Sequence, residues 1–192
     1  MNIATNKIIN SILFFANKSE NKTINRLKLM KLLWLSDRVH LNKYGRLILK
    51  DNYKALPHGP VPSATMDFSK NSIANNFHVD KYNLKSEKQF DPKYFSKSDI
   101  DVMDSIWDKF GSFDQFELRD ISHKFPEWLR FEKELNDRFA PNSYSMVMED
   151  FFITPELEDK YKEVFSIEGI EESLSYFRSH NAIQSNLNAQ CL

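Results

Sequence analysis

The pattern of hydrophobic and polar positions predicts a mostly helical chain. Apolar residues recur every three or four positions over 3–17 and again over about 24–43, the spacing that gives a helix one buried face. The second segment is apolar around most of its circumference, so we expect it to be the central helix. Gly45 is suited to end this helix, because glycine readily adopts the left-handed backbone found there.

The rest of the chain shows weaker signals of two kinds. Helical spacing returns in a short segment from Pro62 and in five segments that begin near 96, 112, 126, 155 and 166. Strand-like runs flank Asp51-Asn52 and occupy 77–90, which predicts one or two small β-hairpins. The expected fold is therefore mainly α, a single compact helical domain of about seven to eight helices over residues 1–180. The polar segment 181–192 is predicted to be a disordered tail.

Composition narrows the class of protein. A chain of 192 residues with 41% hydrophobic content suits one domain with a substantial core. Its single cysteine, Cys191, provides no disulfide framework, which fits a reducing, cytoplasmic location. The apolar stretch within 8–16 is too short to span a bilayer, so no membrane partner is expected.

Charge is divided unevenly along the chain. Residues 1–60 hold eleven Lys and Arg against three Asp and Glu, whereas the whole chain has a net charge of −1. The two halves could attract each other within one fold, or the basic half could form a surface for an acidic partner. Lys28, Lys31 and Arg38 could alternatively contact nucleic acid, but a dedicated nucleic-acid binder is usually more basic overall.

Motifs for catalysis and cofactors are missing from the sequence. The five histidines do not have metal-ligand spacing, and no cysteine pair accompanies them. The chain has no nucleophile elbow, and its four glycines do not form a phosphate-binding loop. We therefore expect no catalytic residues, no metal and no cofactor.

Three polar residues lie inside the apolar central helix and admit three interpretations. Asp37 could accept hydrogen bonds that hold the following loop, because an unpaired buried polar group costs about 1–3 kcal/mol. Arg38 or His40 could belong to a partner-binding site. Asp37 and His40 could instead act as a general acid–base pair.

The segment after this helix presents further candidates. Gly59, Pro60 and Pro62 predict a rigid turn leading into a helix, in which Gly59 permits a special dihedral angle or a close backbone approach. A rigid turn presents side chains at little entropic cost, so Tyr53 and His58 are candidate partner-binding anchors.

Three more residues complete the candidates. Arg46 could pair with an acidic patch of a partner. His123 is predicted to be half-buried near a helix end, and Trp128 is predicted to be a core residue because of its large apolar area. The last two are structural candidates.

Two blocks of sequence resemble a known family. The first runs KLLWLSDR over 31–38, continues through His40-Leu41 and KYGR at 43–46, and ends in YKALPHGPVPS at 53–63. The second comprises 96–111, Leu118, Ser122-His123 and Trp128. Together they resemble the Panacea domain, the SocA-like antitoxin domain also known as a phage-associated protein domain, over roughly residues 5–135.

This resemblance implies a mainly helical fold and a function without catalytic residues. It implies an antitoxin that neutralises a cognate toxin protein by direct binding. The founding member of the family is a proteolytic adaptor that delivers its toxin to the protease ClpXP, so the resemblance also implies this possible role. A nucleic-acid-binding or phage-associated regulator stays open as the alternative, with the basic half as its binding surface.

Overall fold

The computed structural model of the protein describes residues 3–70 and 76–190, with side chains in the last helix described up to 183. Its helices are α1 (Ile3–Lys18), α2 (Arg26–Tyr44), α3 (Ser63–Phe68), α4 (Lys97–Phe110), α5 (Gln115–Ser122), α6 (Pro126–Leu129), α7 (Glu132–Leu135), α8 (Asp159–Phe165) and α9 (Ile170–Gln190). Its strands are β1 (Thr23–Asn25), β2 (Tyr53–Leu56), β3 (Gly59–Pro62), β4 (Phe77–Val79), β5 (Asn83–Ser86) and β6 (Tyr144–Ser145).

Helix α2 lies at the centre of the fold. Every residue from Leu29 to Asn42 is buried, and the helix contacts α1, α4, α5 and α9 as well as strands β1 and β3. The Asn25 side chain caps its start by accepting the amides of Leu27 and Lys28. Gly45 ends the helix with a φ of 66°, a left-handed conformation that costs glycine little.

The predicted mainly α fold class is wrong. The described residues contain nine helices and two three-stranded antiparallel sheets, with strand orders β1-β5-β4 and β3-β2-β6, so the fold is mixed α and β. The third strand of each sheet comes from a distant segment, since β1 pairs with β5 and β6 pairs with β2. Strands of two or three residues are too short to show a period in the sequence.

The first hairpin differs from its predicted form. Its strands are β2 and β3, with Ala55 opposite Pro60 and Lys54 opposite Val61, so the turn lies at Pro57-His58 rather than at Asp51-Asn52. Two prolines fit into β3 because it is an edge strand. On an edge strand some backbone amides face away from the sheet and donate no hydrogen bond to it, so proline, which has no amide hydrogen, is tolerated there. Asp51 instead accepts the amides of Ala64 and Thr65 at the start of α3.

The second hairpin turns between Val79 and Leu84, earlier than the polar segment 85–88 at which the sequence pattern predicts the turn. Strands β4 and β5 pair Val79 with Leu84, and the turn is organised by the Asp80 carboxylate, which accepts the amides of Tyr82 and Asn83 at 2.7 and 2.6 Å. Asp favours turns because its short side chain reaches the backbone two or three residues ahead.

The C-terminal segments also depart from the prediction. The helix expected from 126 is divided into α6 and α7, and the helix expected near 155 begins only at Asp159. Residues 181–190 continue α9, whereas 191 and 192 lie outside the described residues. The domain boundary at 180 stays a prediction.

Candidate functional site

Polar side chains of the central helix α2 bind the segments that surround it. The buried polar residues of α2 are Lys31, Ser36, Asp37, Arg38, His40 and Asn42. Each of them has a hydrogen-bond partner, and only Ser36 bonds solely within its own helix, to the carbonyl of Leu32. The other five connect α2 to separate parts of the chain. Polar residues are tolerated in this otherwise apolar helix because each of them is hydrogen-bonded.

Asp37 lies at the junction between α2 and the following loop. Its Oδ1 accepts the amides of Ile48 and Leu49 at 2.5 and 3.1 Å, and the Tyr53 hydroxyl donates to Oδ2 at 2.6 Å. Burial raises the pKa of Asp37 to about 6, and the hydrogen bond from Tyr53 and those from the two amides limit the rise. Burial and the nearby carboxylate raise the pKa of Tyr53 well above its usual value. The Tyr53 hydroxyl therefore stays protonated and donates its hydrogen bond to Asp37.

Arg38 points into the core and connects α2 to α6. Its Nε donates to Glu127 Oε1 at 2.9 Å, and an Nη donates to the carbonyl of Ile153 at 2.6 Å. The guanidinium also lies 4.7 Å from the centre of the Phe125 ring. Burial raises the pKa of Glu127, and the Arg38 charge opposes this rise. The pair is buried on both sides and presents no charge to solvent.

His40 connects α2 to the N-terminus of α4. Its Nδ1 lies 2.9 Å from the carbonyl oxygen of Arg46, and its Nε2 lies 3.1 Å from Asp99 Oδ1. Lys7 from α1 and Arg46 also bind Asp99, at 2.8 and 2.9 Å. Burial alone would raise the pKa of Asp99, but the hydrogen bonds from His40 and Lys7 hold it well below its usual range.

His40 and Asp37 therefore have separate hydrogen-bond partners. The predicted acid–base interpretation needs a base and an acid that face one substrate position. Both side chains are fully buried and bound to the chain itself, so neither is placed to reach a substrate.

Lys31 fixes the first hairpin against α2. Its Nζ is fully buried and donates to the carbonyl of Pro60 at 2.8 Å, and burial lowers its pKa well below the usual value. Gly59 lies directly beside it with a φ of 93°, and a Cβ at this position would be only 2.7 Å from Lys31 Nζ. The absence of a side chain at Gly59 therefore allows the hairpin to approach this close to α2.

Trp128 also binds the same hairpin, and His123 stacks on Trp128. Their rings stack with 3.8 Å between centroids, and Trp128 Nε1 donates to the carbonyl of Leu56 at 2.9 Å. Burial lowers the pKa of His123 to about 4, and the Lys31 charge adds to this shift. His123 is therefore neutral near pH 7.

An open groove lies beside the two hairpins. Its volume is about 970 Å³, and its walls come from the start of α2, the turn of the β2–β3 hairpin, α3, the β4–β5 turn and the start of α5. Leu27, Met30, Leu56, Val61 and Met66 supply apolar surface. This groove is large enough to receive a segment of another molecule, whereas a neighbouring pocket beside Lys54 and Met66 has a volume of only about 140 Å³.

Sequence-predicted binding residues have different positions relative to this groove. Arg38, His40 and Tyr53 are at most 3% exposed, so they cannot contact a partner that docks on the folded chain. Arg46 is partly exposed, but its guanidinium binds Asp99 and the hydroxyl of Ser96. Of the five predicted binding residues, only His58 is exposed and lines the groove.

Residues of the groove that sequence reasoning missed come from distant segments. Arg26, Lys70, Lys81, Tyr82 and Phe116 all line it. The sequence positions of the two aromatic residues could have predicted their exposure. Tyr82 lies in a turn that begins with Asp80, and Phe116 follows Asp114, the residue that caps α5. An aromatic residue in such a polar setting has no core position to fill, and these two are 60% and 53% exposed.

Neither a metal-binding cluster nor a membrane-spanning helix occurs among the described residues. Among them, no group of three or more His, Cys, Asp and Glu side chains is arranged to hold a metal ion. No helix in the part of the chain that the structure describes combines the length and the apolar character needed to cross a bilayer.

These features define a mixed α and β domain in which one buried helix organises the fold and an open groove is the candidate site. The model of a family described as antitoxin SocA-like, Panacea domain, matches residues 29–129, which is more than half of the chain. The protein belongs to this family, and the match confirms the resemblance noted in its sequence. The curated proteins and the solved structures contain no match to it.

Proposed function

We propose that this protein is a cytoplasmic antitoxin that neutralises a cognate toxin protein by binding it directly. The observation that carries the proposal is the match of residues 29–129 to the SocA-like antitoxin family. This matched region contains α2 from Leu29 onward, both hairpins and α4 to α6. It therefore includes most of the walls of the groove.

The groove is the proposed toxin-binding surface. It combines apolar surface with exposed aromatic side chains, and aromatic residues contribute strongly to protein interfaces. His58 lies at the turn of the β2–β3 hairpin, whose base is held by Lys31 and Trp128. A turn that is already rigid loses little conformational entropy when it binds.

Neutralisation on this proposal requires no chemistry by the antitoxin. Asp37 and His40 are bound to their own chain, which supports a binding protein rather than an enzyme. We accordingly propose that the antitoxin acts stoichiometrically, so that growth is restored only when its amount matches that of the toxin. A catalytic antitoxin would restore growth at a small fraction of that amount.

Co-expression with the product of the neighbouring gene tests the proposal. We expect that product to arrest growth alone, the antitoxin to restore growth, and the two chains to co-purify as a complex. A translation-blocked antitoxin gene serves as the control, since it retains the RNA without the protein. Rescue by that control, or failure of the purified chains to associate at micromolar concentration, would contradict the proposal.

Delivery to a ClpXP-type protease is a second mode that the same binding could support. The half-life of the toxin in cells separates this mode from simple masking. Masking leaves the toxin stable in the presence of the antitoxin, whereas delivery shortens its half-life only in cells that contain the protease. Purified toxin that regains activity when the antitoxin is removed would indicate masking.

A further inference from the structure

We propose that the groove receives an acidic, amphipathic segment of the toxin, with apolar side chains on one face and carboxylates on the other. This inference rests on the proposed antitoxin function and adds the chemistry of the bound segment. It follows from two independent features of the groove, its apolar surface and the sign of the charges around it.

Apolar surface accounts for most of the groove. Leu27, Met30 and Val61 line it, and Tyr82 and Phe116 remain more than half exposed at its edges. Large exposed apolar surface in one place marks an interaction site more often than a random feature of a surface. An occupant with an apolar face would remove this surface from water.

The charged side chains that line the groove all have the same sign. Arg26, Lys70 and Lys81 line it, and none of the described residues that line it is Asp or Glu. Asp67 pairs with Lys70 and offsets part of its charge, whereas Asp80 and Asp114 are sequence neighbours of lining residues but do not line the groove themselves. The charges that line the groove directly are therefore positive, which favours an occupant with negative charge on its polar face.

A protein segment fits this surface better than a nucleic acid. Nucleic-acid binding needs many phosphate contacts from Lys and Arg, whereas only three such residues line this groove among those that the structure describes. An amphipathic helix laid in a groove uses both features at once, since its apolar side chains meet the floor and its carboxylates meet the cations.

Synthetic peptides test the chemistry of the occupant without requiring the toxin. One peptide is an amphipathic helix with Leu on one face and Glu on the other, and the second has Lys in place of every Glu. Both carry fluorescein, and binding to the full-length protein is measured by fluorescence anisotropy. We expect the acidic peptide to bind at least about tenfold more tightly, with an affinity that falls as salt is added.

Charge reversal locates that binding on the protein. Lys70→Glu combined with Lys81→Glu should weaken the acidic peptide by about tenfold or more, while circular dichroism stays unchanged. Lys162→Glu combined with Lys93→Glu is the matched control. Lys162 pairs with Asp159 as Lys70 pairs with Asp67, and Lys93 lies over Tyr94 as Lys81 lies over Tyr82. The control residues do not line the groove and should leave the affinity unchanged.

Truncation of an aromatic residue tests the apolar surface of the groove in the same way. Phe116→Ala should weaken the acidic peptide, whereas Phe139→Ala should not. Phe139 is 83% exposed and carries an arginine over its ring, as Phe116 does, but it does not line the groove. Equal effects of the two variants would contradict a binding site at the groove.

The outcomes separate this inference from the proposed function. Equal binding of the two peptides, no binding of the acidic peptide, or a preference for a fluorescein-labelled oligonucleotide would overturn the inference. If the toxin binds the Lys70→Glu, Lys81→Glu variant as tightly as the original protein, the inference is wrong and the antitoxin function stands. If the acidic peptide binds the groove but the neighbouring gene product does not bind, the inferred chemistry stands and the proposed function is wrong.

Discussion

Individual polar residues in α2 act as connections between this helix and its surroundings. Asp37 binds the loop at 48–49, Arg38 binds α6 through Glu127, and His40 binds the start of α4 through Asp99. Burying a polar side chain is unfavourable unless it finds a partner. A specific arrangement of these segments is thus required before the helix can be buried at all.

Asp37→Asn should destabilise the protein at the junction after α2. The amide keeps the size of the side chain but cannot accept all three hydrogen bonds from Ile48, Leu49 and Tyr53. We expect a loss of about 1–3 kcal/mol in the free energy of unfolding, measured by urea denaturation near pH 7.

Tyr53→Phe is the companion variant for this junction. It removes only the hydroxyl that donates to Asp37, and should cost about 1 kcal/mol. A structural role predicts unchanged toxin affinity for both variants once the folded fraction is taken into account. Unchanged stability together with lost binding would instead assign Asp37 to the interface.

Asp99 should make part of the stability dependent on pH. Its pKa in the folded protein lies below that of an unfolded carboxyl. The stability from its ion pairs is therefore complete above about pH 4, the unfolded value, and is lost as the pH falls toward the folded value. We expect Asp99→Asn to cost about 1–3 kcal/mol near neutral pH, with a smaller difference from the original protein below about pH 4.

Asp101→Asn provides the matched control on the same helix. Asp101 pairs only with Lys97, and both side chains are exposed, so its removal should cost less than about 1 kcal/mol. A difference between the original protein and Asp99→Asn that grows on acidification would contradict the assigned direction of the Asp99 pKa shift.

At the scale of elements, side-chain contacts hold α6 and the first hairpin against α2. Helix α6 has four residues, too few to be stable alone. The Arg38–Glu127 pair joins it to α2, and Trp128 joins it to the carbonyl of Leu56 in β2. The position of this short helix therefore depends on tertiary contacts more than on its own sequence.

Arg38→Met should be more damaging than the double variant Arg38→Met, Glu127→Met. The single change leaves the Glu127 carboxylate buried without its partner, and removing one member of a buried pair costs about 3–5 kcal/mol. The double change removes both charges, so it should recover part of this loss. Thermal unfolding of the three proteins at one pH provides the measurement, and a double variant that is less stable than the single one would contradict the prediction.

At the scale of the whole molecule, the buried aromatic residues belong to one core. Trp34 and Trp128 are at most 3% exposed, whereas Trp107 packs against this core but is only partly buried. The sequence predicts that all three are mostly buried in one shared core; Trp107 packs against that core but is less buried than the other two, and its ring lies under the Lys28 ammonium at 5.6 Å.

Acrylamide quenching should distinguish the three tryptophans. In the isolated folded protein we expect Trp34 and Trp128 to be protected and Trp107 to account for most of the quenching. Trp107→Phe should therefore leave fluorescence that acrylamide quenches only weakly. Strong quenching that persists in Trp107→Phe would contradict the burial of the other two, and a quenching constant equal to that of the urea-unfolded chain would contradict the core as a whole.

The sequence by itself determined the central helix and the family. The long apolar run over 29–42 can be buried only at the centre of the molecule, and the order of motifs from Lys31 to Ser63 agrees with the family match. These features are local in the chain, so periodicity and motif order were sufficient to find them. The same reasoning also recognised that polar residues within this run needed partners.

Only the tertiary structure decided what those partners are and where a binding surface lies. Asp99 and Glu127 are far from α2 in sequence, and strands β1 and β6 are too short to leave a pattern. Tyr53 shows the consequence most clearly, because an aromatic residue near a turn suits either an interface or a core, and its contact with Asp37 places it in the core. The groove likewise exists only after α2, α5 and both hairpins have packed together, since no continuous segment of the chain contains it.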